Sequence, residues 1–206
     1  MLAFIQQAIN DFTHTGSVWP SSRKLAGAMT RSLRNETGKR RILEVGPGTG
    51  PFTRVILRTL RDGDEFHIVE INPAFCVRLE RRILRRFRKD HPNITVKLHQ
   101  SPIEDVDLES GFDHVICGLP FNNFPPELVR SIFRRMMSLL KVGGDLAYFE
   151  YAGVRMLKSP IMGRRGKKRM RLNNAHRKSM NRQHSGTKTF VMANFPPAIA
   201  MYLTRR

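Results

Sequence analysis

Three short stretches carry residues whose types and spacing suit ligand chemistry. The first is Ile42-Leu43-Glu44-Val45-Gly46-Pro47-Gly48-Thr49-Gly50, an apolar run that ends in a carboxylate and then a glycine at every second position. Such glycines let the backbone turn sharply and pass within contact distance of a nucleotide-like cofactor, because no side chain stands in the way. A dinucleotide fingerprint places its third glycine five residues after the first, whereas Gly50 follows Gly46 by four and Pro51 comes next. The second stretch ends at Glu70, 20 residues after Gly50. A carboxylate there can accept hydrogen bonds from both ribose hydroxyls of a nucleoside. The third is Gly118-Leu119-Pro120-Phe121. Singly, these have plain readings as a Gly-rich turn or a chance acid at a strand end; together they favour a nucleoside cofactor.

The elements that position these groups follow from period and breakers. Arg41 to Val45 predicts a first strand, the glycine loop leads to a helix from about Phe52 to Leu60, and Asp62-Gly63-Asp64 turns into a second strand, Glu65 to Val69, with Glu70 at its carboxyl end. Pro73 opens a helix to about Lys89, with seven Arg or Lys spread around its axis. Ile94 to Leu98 is a third strand, followed by Ser101-Pro102-Ile103-Glu104-Asp105, and Phe112 to Cys117 is a fourth. A helix from Pro125 through Leu140, a stop at Val142-Gly143-Gly144 and a fifth strand, Asp145 to Tyr151, come next. Thr187 to Asn194 and Ala198 to Leu203 read as two final strands. Five strands alternating with helices and two at the end imply an α/β fold, a mostly parallel seven-stranded sheet with an antiparallel terminal strand and helices on both faces.

Ahead of this core lie two helices. Met1 to Thr13 places Leu2, Phe4, Ile5, Ala8, Ile9 and Phe12 on one half of the wheel and its polar residues on the other, so it docks on the domain or lies in a lipid interface. After a turn-rich segment, Ser21 or Ser22 can cap a helix from Arg23 to about Leu33. The expected organisation is an N-terminal pair of helices over 1–35 and one cofactor-binding domain over 36–206 with a basic insertion at about 153–186.

The chain has 206 residues, 40% of them apolar, enough for one domain with a real core. No stretch reaches the ~18 apolar residues of a spanning helix. The N-terminus shows no secretory signal pattern, and Cys76 and Cys117 suggest neither a disulfide framework nor a metal cluster; a reducing cytoplasm is expected. Net charge is +19, and its distribution is uneven: Tyr151 to Arg206 holds 14 Lys or Arg and no acid, leaving 22 basic residues and all 17 acidic ones in positions 1–150. A surface of one sign implies a polyanionic partner, nucleic acid or an anionic membrane.

The string Glu44-x-Gly46-x-Gly48-x-Gly50 resembles motif I of the class I S-adenosylmethionine (SAM) methyltransferases, a Rossmann-like family. Over most of its length the chain is similar to the bacterial phospholipid N-methyltransferases: in Gly16 to Ser22 with its Pro-Ser-Ser, in motif I, in Gly118-Leu119-Pro120-Phe121, and in Asn194-Phe195-Pro196-Pro197-Ala198. The resemblance implies SAM as cofactor, with contacts from Ser22, Glu44, Gly46, Gly48, Gly50, Glu70, Ile71, Ile103, Glu104 and Gly118. It also implies that an acid in the loop after the third strand takes the adenine amine, a role for which Glu104 and Asp105 compete. Gly118, Leu119, Pro120 and Phe121 then stand where the transferred methyl meets the substrate, and Tyr151 is the candidate phenol for a lipid phosphate.

Leu119-Pro120-Phe121 also resembles the rRNA adenine dimethylases, and two arguments separate the readings. Enzymes acting on an adenine exocyclic nitrogen use Asn or Asp at the position of Gly118, whose oxygen draws the amine lone pair out of ring conjugation. A deprotonated alkylamine needs only proximity and shielding from water. The 56 residues from Tyr151 also leave no room for a separate RNA-binding domain. The expected substrate is therefore an amine-bearing membrane lipid, phosphatidylethanolamine and its methylated intermediates on the route to phosphatidylcholine, or ornithine lipid. Ornithine lipid enters because Ala152-Gly153-Val154-Arg155 replaces an expected Gly-Pro turn. Ile5, Ile9 and Phe12 would meet the bilayer and Arg164, Arg165, Lys167, Lys168, Arg169 and Arg171 its anionic headgroups. A monomer bound peripherally to the inner face of the cytoplasmic membrane is expected, with no metal. The alternatives are an RNA adenine methyltransferase and a non-catalytic basic nucleic-acid-binding module on the same fold.

Overall fold

Apolar runs set the sheet. A computed structural model describes residues 22–34, 37–121, 124–151, 171–172, 179, 182–184, 186–194 and 196–206. The expected amphipathic helix at 1–13 and most of the basic insertion lie outside them. Strands β1 (Arg41–Val45), β2 (Glu65–Glu70), β3 (Thr95–Gln100), β4 (Phe112–Cys117), β5 (Leu140–Tyr151), β6 (Thr187–Val191) and β7 (Ala198–Thr204) form one sheet in the order β3-β2-β1-β4-β5-β7-β6. β1 is central and buried on both faces apart from Arg41, as its uninterrupted apolar run requires. The first five strands are mutually parallel and β7 runs against its two neighbours, so β6 points the same way as the parallel set.

Helices cover both faces. α1 (Arg23–Met29) starts at Ser22, whose hydroxyl accepts a hydrogen bond from the Leu25 amide at 3.1 Å. It ends four residues short of the expected Leu33, because the Thr30 hydroxyl donates to the Ala26 carbonyl and the chain tightens into a 3-10 turn over Arg31–Arg34. α2 (Pro51–Leu57) follows the glycine loop. α3 (Pro73–Leu79) and α4 (Arg85–Asp90) replace the single expected helix and are joined by a π turn over Glu80–Leu84. Leu79 and Leu84, five apart, are both fully buried. An α-helix would turn them about 140° from each other; the wider π turn brings both onto the sheet. α5 (Pro126–Leu139) buries Val129, Ile132, Phe133 and Met136, the i, i+3, i+4, i+7 face of a surface helix.

The Val142-Gly143-Gly144 stop is not a loop. α5 passes straight into β5 at Leu140, and the pairing of β4 with β5 skips from Phe112↔Leu140 to His114↔Asp145, a bulge containing Gly143 at φ 80°. The bulge is held by the far end of β7, with the Gly143 amide donating to the Arg205 carbonyl at 2.8 Å and the Arg205 amide to Gly144 at 2.9 Å. Two apolar layers result. One, under α5, runs from Leu43 and Val45 to Phe121 and Tyr148; the other lies under α1, α2 and α3 and includes Phe52, Phe66 and Phe149.

Candidate active site

The sheet's carboxyl edge gathers the three stretches. Beyond β1, the Gly46 amide donates to the Val69 carbonyl at 2.9 Å and the Gly118 amide to the Val45 carbonyl at 2.8 Å, so the glycine loop and the β4 exit separate at one point. That is the switch point where open α/β sheets bind ligands. Gly46 has φ 69°, and a Cβ there would run into the Leu119 side chain. A Cβ on Gly118 would stand 2.5 Å from the Gly46 carbonyl oxygen. The missing side chain at 118 thus has a packing cause of its own, independent of the substrate. At Gly48, φ 57°, a Cβ would meet nothing within 4 Å, and the loop faces open space.

Glu44 is fully buried, and its Oε2 accepts from the Thr53 hydroxyl at 2.7 Å. Its Oε1 has no partner among the described residues. Burial pushes the carboxyl up to about 8, against the hydrogen bonds from Thr53, and the nearby Glu70 adds to the rise. A raised folded value gives stability that is complete below the ordinary value of 4.5 and lost as pH rises through about 8. Wild type should therefore lose thermal stability relative to Glu44→Gln between about pH 5 and 8, and then run parallel to it, as a series of melting curves would record.

Glu70 ends β2 and is 4% exposed. Its Oε2 accepts from the Gly48 amide at 3.0 Å and its Oε1 from the Asn72 amide at 2.8 Å, so this one carboxylate fastens the glycine loop to the start of α3. Burial pushes its pKa above the ordinary carboxylate value, opposed by backbone amides at Asn72, Gly48 and Ile71. Each oxygen keeps a lone pair for a further donor.

Beside Glu70 opens a cleft walled by Val45, Val69, Ile71, Ile103, Leu119, Phe124 and Ile132. Glu104 lines it, with Oε1 lacking a partner among the described residues and a carboxyl raised by burial, whereas Asp105 is exposed and outside it. Of the two competing acids, Glu104 is the one placed to meet a ligand.

The third stretch divides. Leu119 lines the cleft and Pro120 is half-buried, but Phe121 is 2% exposed, its ring centroid 4.7 Å from Phe133 and 6.1 Å from Tyr148. It belongs to the aromatic floor under α5. Tyr151 ends β5, half-buried edge-on to Phe149 at 5.2 Å, its hydroxyl's pKa pushed up by burial. Ser22, besides capping α1, donates its amide to Asn194 Oδ1 at 2.8 Å, and Asn194 Nδ2 donates to the Pro196 carbonyl at 2.8 Å. Two sequence signatures 172 residues apart are thereby joined beside the cleft edge of the sheet. Ile5, Ile9, Phe12, Arg164, Arg165, Lys167, Lys168 and Arg169 lie outside the described residues; Arg171 is exposed.

Sequence reasoning missed Thr53, Phe124 and Ile132. Thr53 was findable as the one short polar residue among the buried positions Phe52, Thr53, Ile56 and Leu57 of α2. The other two are apolar wall residues and carry no chemical signal.

The architecture and the glycine loop, carboxylate and cleft at its switch point are those of the class I methyltransferases. A family model described as "Methyltransferase domain" matches residues 43–146. A curated relative named ornithine lipid N-methyltransferase, from Singulisphaera acidiphila, is 31% identical over 146 residues, covering 68% of this chain and 72% of the relative. Among solved structures, the O-methyltransferase TomG from Streptomyces achromogenes, in complex with SAM, superposes with a TM-score of 0.59 at 16% identity over 100% of this chain and 89% of its own. CrArsM, an arsenic(III) SAM methyltransferase from Chlamydomonas reinhardtii, gives 0.55 at 15% identity over 90% and 74%. The chain belongs to the SAM-dependent methyltransferase family. The cofactor fits what the chain offers: a loop open at Gly48, spare lone pairs on Glu70, and an unpartnered carboxylate oxygen of Glu104 in the cleft.

Proposed function

We propose that the enzyme methylates the primary amine of a membrane lipid, with ornithine lipid as the first candidate and phosphatidylethanolamine as the second. The observation that carries this reading is the 31% identity to a relative named for ornithine lipid, sustained over 146 residues. Two features support it. Position 118 offers no side-chain oxygen of the kind adenine N-methylation needs, and the chain from Tyr151 onward is basic without a single acid. An anionic membrane surface matches that charge, as does peripheral binding by the expected amphipathic helix.

Bound SAM supplies an electrophilic methyl group on a cationic sulfur. Glu70 would hold the ribose hydroxyls on its free lone pairs, Glu104 would accept the adenine amine, and Ile71 and Ile103 would sandwich the base. Glu44, tied to α2 through Thr53, holds the base of the glycine turn. Gly46 and Gly118 permit the loop and the β4 exit to touch, which brings Leu119 and Pro120 to the mouth. Leu119 and the aromatic floor through Phe121 would exclude water, so that an amine that has lost its proton to solvent before entering keeps its lone pair for the methyl. Tyr151 would face the lipid headgroup from the end of β5.

The test is incubation with labelled SAM and vesicles containing either ornithine lipid or phosphatidylethanolamine, with rRNA as a third arm and mass spectrometry of the products. Label in the ornithine lipid arm is expected; label in rRNA alone ends the lipid reading.

A further inference from the structure

Two large apolar side chains stand in water where the chain needs none. Phe190 is 57% exposed and Met192 73%, at the end of β6 and in the turn that follows it. We propose that this β6–β7 tip inserts into the bilayer interface and sets the cleft mouth against the lipid surface. The inference rests on the membrane-lipid reading and names an element that makes the contact.

Register fixes where the tip lies. Val191 pairs with Ala198, and Ala198 pairs with Tyr151, so the end of β6 is level with the end of β5 at the sheet's carboxyl edge. That is the edge on which the glycine loop, Glu70 and Leu119 stand. Four strand spacings separate β6 from β1, roughly 19 Å along the rim. Phe190 pairs with Ile199, which packs on the layer containing Val45, Val69 and Leu119, so the exposed ring stands on the cleft's side of the sheet.

The tip is a held structure. On the opposite face Arg31 donates to the Thr189 hydroxyl at 2.8 Å and to Thr187 at 3.3 Å, and its guanidinium lies 3.6 Å from the Tyr202 ring centroid. Beyond Met192, Asn194 anchors the turn to Ser22 and so to α1. Fraying therefore does not account for the exposure.

Charge selects the occupant. Lys188 is exposed two residues before Phe190 on the same strand face, and no acid occurs anywhere from Tyr151 to the last residue. Exposed apolar side chains beside a lysine, on a chain end without acids, match an interface of acyl chains under anionic headgroups. Charge alone would serve a nucleic acid, but Met192 would gain nothing there.

The experiment compares wild type with the double variant Phe190→Ser, Met192→Ser by sedimentation with vesicles containing an anionic phospholipid and ornithine lipid. Affinity should fall about tenfold or more, with the melting temperature near wild type because both side chains are already in water. Methylation of a short-chain ornithine lipid below its micelle concentration should be unchanged, while methylation in vesicles falls in step with binding. A second measurement uses Met192→Cys carrying an environment-sensitive dye, selective because Cys76 and Cys117 are buried; its emission should shift blue on vesicle addition. Unchanged vesicle affinity of the double variant, or a dye that stays in water on the vesicles, overturns the proposal. So does blue emission without vesicles accompanied by a dimer in sedimentation velocity, which would assign the patch to a second copy. If wild type methylates no lipid, the substrate reading fails on its own, and vesicle affinity and the dye still judge the tip.

Discussion

Glu70→Ala is expected to weaken SAM binding at least a hundredfold in calorimetric titration while the fold survives. The size follows from what the carboxylate does. Each hydrogen bond to a charged group contributes about 1.5–3 kcal/mol, and the ribose hydroxyls would lose two. The loop suffers as well, because the Gly48 and Asn72 amides lose their acceptor and the turn that faces the cofactor loosens. Stability should change little, because burial already disfavours the ionised Glu70 and offsets part of what its hydrogen bonds provide. Glu70→Asp, one methylene shorter, cannot reach both amides at once and should recover only part of the affinity. Tight SAM binding by Glu70→Ala would remove this residue from the site.

The cofactor half of the molecule was legible because its signals are local. Glu44 to Gly50 states a strand, a turn and an open backbone in nine residues, and the strand that ends at Glu70 states the next unit. The mostly parallel seven-stranded sheet and its antiparallel last strand followed from the alternation of elements. The departures arose where tertiary contacts overrode local pattern. Gly143-Gly144 reads as a stop, yet β7 recruits it as a bulge through Arg205. Helix 73–89 reads as uniform, yet two leucines five apart must both reach the core.

The substrate half was legible only in part, for a different physical reason. Gly118 invited a chemical reading, and the structure adds that its Cβ would collide with the Gly46 carbonyl, so packing alone demands a glycine. Phe121 was expected where the methyl meets the substrate, and its ring packs in the core with Phe133 and Tyr148. Glu104 and Asp105 were equivalent as letters and are separated only by which one the loop turns into the cleft. Sequence spacing reports which residues share an element; it does not report which way a loop side chain faces.

The largest effect on stability is expected at the opposite edge of the sheet. Arg40 is 2% exposed and Asp64 1%, and they pair at 2.5 Å just ahead of β1 and β2. The pair is a junction: Arg40 also donates to the Leu33 carbonyl at 2.5 Å and to Thr59 at 2.7 Å, which ties the 3-10 turn and the end of α2 to the sheet. Asp64 in turn accepts from the Arg40 and Arg61 amides, both at 2.9 Å. Asp64→Ala strands a guanidinium in the interior and should cost about 3–5 kcal/mol, the usual penalty for an uncompensated buried charge. For a chain of this size that lowers the melting temperature by roughly 6–20 °C. Arg40→Met combined with Asp64→Leu removes both charges and should recover most of the loss, because the desolvation penalty of the pair disappears with it. Cofactor affinity, measured well below the transition, should stay near wild type in both variants, since the junction lies at the amino ends of strands whose carboxyl ends form the cleft. A melting curve for Asp64→Ala that overlays wild type would show that solvent reaches the guanidinium after all.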